Sequence, residues 1–138
     1  MKKKRFHFSF FRYVPMTLVM GTIFFLSNQP GDTLTLPDVP NIDKVLHAGI
    51  YGLLALTTLF AVGKKRTLAR PYQVGFLVIV FCFLYGISDE YHQSFIPGRT
   101  PSIWDICADT TGAFLMVVLW LRFFLQNDKR RAIGSRCR

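Results

Sequence analysis

The stretch of sequence that decides the fold runs from Ile106 to Leu125 and reads ICADTTGAFLMVVLWLRFFL. It is 20 residues long and carries charged side chains only at Asp109 and Arg122. A helix that crosses a lipid bilayer needs about 20 mainly apolar residues. The polar residues of this stretch do not recur at the 3.6-residue spacing that gives a soluble helix its polar face. The stretch therefore predicts a transmembrane helix.

Three earlier apolar stretches, at about residues 11–27, 45–62 and 72–88, repeat this pattern before the one at 106–125. The first and third are short, but Arg12 can extend its guanidinium to the headgroups and so lengthen the first span. The first stretch follows a basic run, as in a signal peptide, but residues 25–30 lack the small-residue cleavage pattern. We therefore predict an all-α membrane protein with four transmembrane helices in a single domain, residues 1–138. A soluble four-helix bundle is the alternative.

The composition agrees with a small membrane protein. The chain of 138 residues is 51% hydrophobic, contains 14 Phe and has a formal net charge of +9. So large an apolar content excludes an intrinsically disordered chain. A charged fraction of 18% is too low for a small soluble nucleic-acid-binding domain. Cys82, Cys107 and Cys137 are far apart and form no CxxC pair, which indicates neither a disulfide framework nor a zinc motif.

The charged residues divide by position between the two sides of the predicted membrane. Of the 17 Lys and Arg residues, 15 lie in the N-terminal segment, the Gly63–Pro71 loop, the C-terminal tail and the adjacent helix ends. Lys44 and Arg99 lie on the other side, together with seven of the 8 acidic residues. Because short basic loops remain in the cytoplasm, we predict that both termini are cytoplasmic (N-in/C-in) and that the acidic side faces outwards. The basic clusters then orient the chain and do not bind nucleic acid.

The remaining polar residues gather at the predicted outer ends of the spans. Asp43, His47 and Tyr51 share one helical face at i, i+4 and i+8, and Asp105 and Asp109 repeat the i, i+4 spacing. Ionisable groups within a membrane helix are costly and by default mark a functional site inside the bundle. The candidate catalytic residues are His47, Asp89, Glu90, His92 and Asp105, and the candidate ligand-binding residues are Gln29, Asp43, Lys44, Tyr51, Gln93, Arg99 and Asp109.

Some of these residues also have structural explanations. Asn41 or Asp43 can cap the second helix. Ser102 and Asp105 have the spacing of a capping box at the start of the fourth helix. His47 can be an interfacial histidine that is hydrogen-bonded to a neighbour. Capping by Asp105 does not exclude a second role for its carboxylate.

Four motifs resemble the signature of the VanZ-like family of small bacterial inner-membrane proteins. They are Ser27-Asn28-Gln29-Pro30, Asp43-Lys44-x-x-His47-x-x-x-Tyr51, Asp89-Glu90-x-x-Gln93-x-Phe95-x-Pro97-Gly98-Arg99 and Asp105-x-x-x-Asp109-x-x-Gly112, in the family's order and spacing. The family usually has Asn at the position of Asp109 and often Gly at that of Met116. The resemblance implies a multi-pass protein of the bacterial cytoplasmic membrane. The name-giving member is linked to reduced susceptibility to teicoplanin, a glycopeptide antibiotic.

Two functions remain open from the sequence. In the first, a non-enzymatic membrane protein binds or shields a lipid-linked cell-envelope precursor or a glycopeptide, with Arg99 contacting a phosphate or carboxylate. In the second, a membrane hydrolase or transferase acts on headgroup phosphoesters, with His47 or His92 as base or nucleophile and Arg99 and Lys44 stabilising charge. Membrane lipids are the expected partners in both. A divalent cation held by the acids is an open alternative, and the ligand and the oligomeric state are not specified.

Overall fold

The computed structural model describes residues 10–31, 33 and 39–136, with side chains as far as residue 127. The predicted basic run Lys2–Arg5 and the acids Asp32 and Asp38 lie outside the described residues. The helical elements are a 3-10 turn (Phe10–Arg12), α1 (Val14–Ser27), α2 (Ile42–Val62), α3 (Lys64–Ala69), α4 (Pro71–Gln93) and α5 (Ile103–Arg136). Four segments, Phe10–Ser27, Ile42–Val62, Pro71–Gln93 and Ile103–Asn127, are long and apolar enough to cross a membrane. This confirms the predicted all-α fold with four spans.

The helices do not end where the apolar stretches end. Helix α4 continues through Asp89–Gln93, a segment that its polar composition assigned to a loop, and α2 and α5 begin three residues before their apolar stretches. Hydropathy reports which side chains lipid tolerates, whereas a helix ends where its backbone hydrogen bonds end. The chain leaves α4 at Ser94, whose amide still donates to the Glu90 carbonyl at 3.2 Å, and turns at Gly98 with φ of 76°. The acids Asp89 and Glu90 of the predicted loop therefore lie on a helix, whereas Arg99 lies in the loop between α4 and α5.

The spanning helices alternate in direction, so α1 runs parallel to α4 and α2 runs parallel to α5. At the end where α2 and α5 begin, the Ser102 amide donates to Glu90 Oε2 at 2.7 Å. At the opposite end, Arg12 Nη2 donates to the Phe60 carbonyl at 2.9 Å. We call the first the acidic end, and the second, next to the basic segment 64–70, the basic end.

Helices α2 and α5 approach each other closely because small residues line their contact. A Cβ atom on Gly112 would overlap the Ala48 carbonyl, and one on Gly52 would come within 3.3 Å of the Gly112 carbonyl oxygen. Small residues allow membrane helices to pack backbone against backbone, where van der Waals contact replaces the hydrophobic effect. Polar side chains one turn nearer the acidic end are therefore within reach of one another.

Helix α1 packs less intimately than the other three spans. Of its residues, Ile23 and Ser27 are buried, and Tyr85 on α4 donates a hydrogen bond to the Met20 carbonyl at 2.8 Å. Large apolar side chains such as Phe25 and Phe123 are exposed on the surface of the bundle. In a chain with four apolar spans, these side chains contact lipid.

Candidate functional site

Five ionisable side chains from three helices meet at the acidic end, and we call them the acidic-end cluster. They are Lys44 and His47 on α2, Glu90 on α4, and Asp105 and Asp109 on α5. Glu90, Asp105 and Asp109 are buried, with exposed fractions of 4%, 8% and 0%. All five were candidates from the sequence: three acids, one histidine and the lysine. They lie next to the close contact between α2 and α5.

The Lys44 ammonium joins two carboxylates. Its Nζ lies 2.7 Å from Asp43 Oδ2, one residue away, and 2.5 Å from Asp105 Oδ1 on α5. The Asp43 side chain is 46% exposed whereas that of Asp105 is 12% exposed. The ammonium therefore connects a carboxylate at the surface with one inside the bundle. Asp43 occupies the first turn of α2, where a carboxylate also complements the helix dipole.

His47 and Asp109 form the innermost pair of the cluster. His47 Nδ1 lies 3.0 Å from Asp109 Oδ1, and the Asp109 side chain is fully buried. Asp109 Oδ2 has no hydrogen-bond partner among the described residues. This oxygen faces α4 at Gly86, where a Cβ atom would lie 3.0 Å from it. One oxygen of Asp109 therefore bonds the imidazole. The other is a buried hydrogen-bond acceptor without a partner among the described residues.

The capping box predicted from Ser102 and Asp105 forms with a different acid. Ser102 Oγ accepts the Trp104 amide at 3.2 Å, as an N-cap does, but the carboxylate that accepts the Ser102 amide belongs to Glu90 on α4. Asp105 is thereby left free to bind Lys44. Glu90 is oriented by this backbone bond through Oε2, while its Oε1 is buried and unpartnered within the described part of the chain.

The predicted residues Asp89 and Gln93 lie on the side of α4 that faces α1 at Ser27. Gln93 Nε2 donates to Asp89 Oδ2 at 3.1 Å and contacts Ser27 Oγ at 3.4 Å. Ser27 was not a candidate, although it opens the Ser27–Pro30 motif that the sequence singled out. These residues form a second polar group next to the acidic-end cluster, and no hydrogen bond joins the two groups among the described residues.

Arg99 contacts the end of α1. Its Nη2 donates to the Leu26 carbonyl at 2.9 Å and its Nε to the Gln29 carbonyl at 3.0 Å. A cation at the last carbonyls of a helix satisfies orphan acceptors and complements the helix dipole. The Gln29 side-chain amide donates to the Phe25 carbonyl at 3.1 Å. Arg99 thus fastens the α4–α5 loop to α1, a contact that the sequence did not reveal.

His92 lies on a groove at the surface between α1 and α4. Its ring stacks on Phe24 with centroids 5.0 Å apart, and its Nε2 has no partner among the described residues. The groove has a volume of about 290 Å³ and is lined by Phe24, Tyr85, Ser88, Asp89, Tyr91, His92 and Phe95. The two candidate histidines are therefore in different places, His47 inside the bundle and His92 at its side.

Tyr51 connects the cluster to the apolar core. Its side chain is fully buried among the helices, with its ring centroid 6.2 Å from that of Tyr85. Its hydroxyl has no hydrogen-bond partner in the described residues. A buried hydroxyl without a partner costs free energy unless a ligand or water supplies one. The position agrees with the predicted shared face of Asp43, His47 and Tyr51.

Three residues of the cluster have the donor set of a cation site. One ligand atom each from His47, Glu90 and Asp105 lies within 4.8 Å of the others. Two carboxylates and an imidazole are ligands that divalent cations accept in proteins.

Four apolar spanning helices with buried ionisable residues at one end define a multi-pass membrane protein. The family model VanZ/LLP1 matches residues 2–125. The chain therefore belongs to the VanZ/LLP1 family, as its motifs suggested. No curated protein and no solved structure matches the chain.

Proposed function

We propose that this VanZ-like protein binds a lipid-linked ligand of the cell envelope at the acidic-end cluster, on the outer face of the bacterial cytoplasmic membrane. The observation that carries the proposal is the convergence of His47, Glu90 and Asp109 inside the bundle, with Glu90 Oε1 and Asp109 Oδ2 unpartnered among the described residues. Ionisable groups at such a position are costly and are retained for function.

The charge distribution supports the orientation of the site. The segments at the basic end include Lys64, Lys65, Arg66 and Arg70, whereas the helix ends that hold the cluster carry most of the acids. Lys and Arg in short loops remain on the cytoplasmic side of a membrane. The proposed topology therefore has cytoplasmic termini and an acidic end that faces outwards, towards the leaflet where envelope precursors are displayed.

The chemistry of the cluster favours a ligand that donates hydrogen bonds. Carboxylate oxygens are acceptors, and a buried acceptor gains most from a donor that reaches it. Hydroxyl, amide and amine groups are such donors and occur in sugar and peptide headgroups. Three of the five N–H donors of Arg99 make no bond to the α1 carbonyls. In the proposal they contact an anionic group at the edge of the site.

The groove at the side of the bundle supports a ligand that also has acyl chains. Phe24 and Phe95 give the groove apolar walls, while Asp89 and His92 add polar atoms near its acidic end. An amphipathic ligand needs both kinds of surface in one place. In the proposal the acyl part lies in the groove beside α1, and the headgroup enters the cluster between α2, α4 and α5.

One observation favours an enzyme as the alternative function. The hydrogen bond between His47 Nδ1 and Asp109 Oδ1 is the arrangement by which a carboxylate orients an imidazole for general-base catalysis. In that alternative, His47 removes a proton from water or from an acceptor alcohol, whose oxygen attacks the phosphorus of a headgroup phosphoester. The ester P–O bond to the leaving alcohol breaks, and the imidazolium returns the proton to the departing oxygen. Lys44 stabilises the charge that develops on the phosphoryl oxygens.

The test is complementation of a strain that lacks the protein. We expect wild-type protein and the control Thr111→Val, an exposed residue on α5, to restore teicoplanin susceptibility to its normal level, whereas His47→Gln does not. Equal restoration by His47→Gln, at equal membrane expression, would contradict the proposal. Lipid profiling of the strain that carries His47→Gln separates the two functions. If the protein is an enzyme, this strain accumulates a headgroup precursor. If it is a binding protein, the lipid profile is unchanged.

A further inference from the structure

The residues His47, Glu90 and Asp105 come from three helices and place one ligand atom each within 4.8 Å of one another. They are far apart in sequence, so only the packing of α2, α4 and α5 brings them together. Structural carboxylates normally pair with cations or with backbone amides. This group has more acceptor oxygens than the donors around it satisfy.

Glu90 gives an independent indication of a missing partner. Its side chain is 4% exposed, and its Oε2 accepts the Ser102 amide at 2.7 Å. That bond fixes the carboxylate in place, yet Oε1 has no partner among residues 10–31, 33 and 39–127. A buried carboxylate oxygen without a donor loses its hydration without a compensating hydrogen bond, which destabilises the folded state. A cation removes this cost by taking the oxygen as a ligand.

A carboxylate holds the ring of His47, an arrangement that is common for histidines that bind metals. His47 Nδ1 lies 3.0 Å from Asp109 Oδ1. When Nδ1–H donates to that carboxylate, the neutral ring keeps a lone pair on Nε2. Carboxylates commonly hold metal-binding histidines in this way, which fixes the tautomer and raises the basicity of the ligating nitrogen. In a metal site that includes His47, Asp109 would therefore be the residue that orients the imidazole.

The Lys44 ammonium shows that the site accepts positive charge. It lies on Asp105 Oδ1 but also on Asp43 Oδ2, one residue away at 2.7 Å. The ammonium can therefore remain neutralised by Asp43 while Asp105 turns an oxygen to another cation. Two carboxylates and one neutral imidazole carry a charge of −2, which a divalent cation balances.

We propose that His47, Glu90 and Asp105 bind a divalent transition-metal cation. One nitrogen and two oxygen ligands suit Zn²⁺ or Mn²⁺, and three protein ligands leave positions open for water or a further ligand. The role of the metal rests on the proposed function: the open coordination positions bind a phosphate oxygen of the lipid headgroup. A bound cation thereby explains how a face rich in acids binds an anionic ligand.

The experiment measures metal binding by the purified full-length protein in detergent. After chelator treatment, the protein is titrated with ZnCl₂ or MnCl₂, and the bound metal is counted by equilibrium dialysis and elemental analysis. We expect one equivalent for wild type and at least a tenfold weaker affinity for Glu90→Gln, whose amide oxygen still accepts the Ser102 amide. The control is Thr111→Val, an exposed residue on α5 whose hydroxyl bonds only the Cys107 carbonyl of its own helix, and we expect it to keep wild-type affinity.

Folding of each variant is checked by thermal unfolding without metal, so a loss of binding is not confused with a loss of structure. His47→Gln is the second variant, and we expect it to lose affinity with Glu90→Gln. The proposal is overturned if wild type binds neither metal, or if both variants bind as wild type does. Metal binding by wild type with unchanged complementation by His47→Gln rejects the proposed function alone. No metal binding, with failed complementation by His47→Gln, rejects the metal alone.

Discussion

Helix α4 carries two adjacent buried carboxylates, Asp89 and Glu90, that lie on different sides of the bundle and in different surroundings. Asp89 lies towards α1 and accepts a hydrogen bond from the Gln93 side chain at 3.1 Å. Glu90 lies towards α5, receives one backbone amide, and has a second oxygen that no described residue satisfies. Burial is nearly equal, 7% and 4% exposed. The two residues therefore differ in one respect other than burial: Glu90 has a buried oxygen without a partner among the described residues.

The two sides also differ in how they are held together. The α5 side depends on backbone contact, since the Ala48 carbonyl lies where a Cβ on Gly112 would be. The α1 side depends on side chains, with Arg99 on the last carbonyls of α1 and Tyr85 on the Met20 carbonyl. The proposed metal site thus lies on the side held by backbone contact, and the groove proposed to hold acyl chains lies on the side held by side chains.

The largest effect is expected from Gly112→Ala. The added methyl group overlaps the Ala48 carbonyl, so α2 and α5 must separate, and overpacking of this kind costs about 3 kcal/mol. We expect a clearly lower melting temperature in detergent and, because the cluster is pulled apart, loss of metal binding. The control is Gly49→Ala, where a Cβ meets no atom within 4 Å. Equal melting temperatures for the two variants would show that the α5 side is not held by backbone contact.

An intermediate effect is expected from Arg99→Ala on the α1 side. The variant removes two hydrogen bonds to the carbonyls of Leu26 and Gln29, one exposed and one partly buried, each with a net contribution of about 1 kcal/mol. We expect a lower melting temperature but unchanged metal affinity, because Arg99 makes no hydrogen bond to the residues of the acidic-end cluster. Arg99→Lys keeps the charge without the fork that reaches two carbonyls, and should recover part of the stability. Weakened metal binding in a folded Arg99→Ala protein would show that the two sides are coupled.

The smallest effect is expected from Lys44→Met, which tests whether Lys44 competes with a metal for Asp105 on the α5 side. Removing the ammonium frees Asp105 for the metal, so the affinity for Zn²⁺ should rise about tenfold, equal to ~1.4 kcal/mol. A loss of affinity instead would mean that Lys44 holds Asp105 in place for the metal. Isothermal titration on the purified variant measures this, with Lys64→Met at the basic end as the control for a general change of charge.

The sequence predicts the spans and the gathering of polar residues at one end, because apolar length and charge position carry that information directly. It does not predict which neighbour each acid faces, since the rotation of α4 about its axis is decided by packing. One signal was present in the sequence. Gly75, Cys82, Gly86 and Glu90 recur at helical spacing, and the first three mark the buried face of α4. Glu90 continues that face towards α5.

Other contacts have no sequence signal of this kind. The acid expected to complete the cap of α5 was Asp105, because it has the local spacing, but a residue on another helix performs that task. Likewise, Arg99 has the chemistry of an anion-binding residue, while its observed partners are backbone carbonyls, which every residue carries. Partner choice between helices depends on distances that only the folded bundle defines.

The parallel arrangement of α2 and α5 has a consequence for biosynthesis. Lys44 and His47 leave the ribosome 61 and 62 residues before their partners on α5. At about 5–20 residues per second, α2 waits roughly 3–12 s for these carboxylates. During that interval Asp43 accompanies Lys44 as an adjacent counter-ion, so the nascent helix does not present an unmatched charge to the membrane. The last helix to be translated therefore completes the cluster, and a chain that stalls before α5 has Lys44, His47 and Glu90 without Asp105 and Asp109.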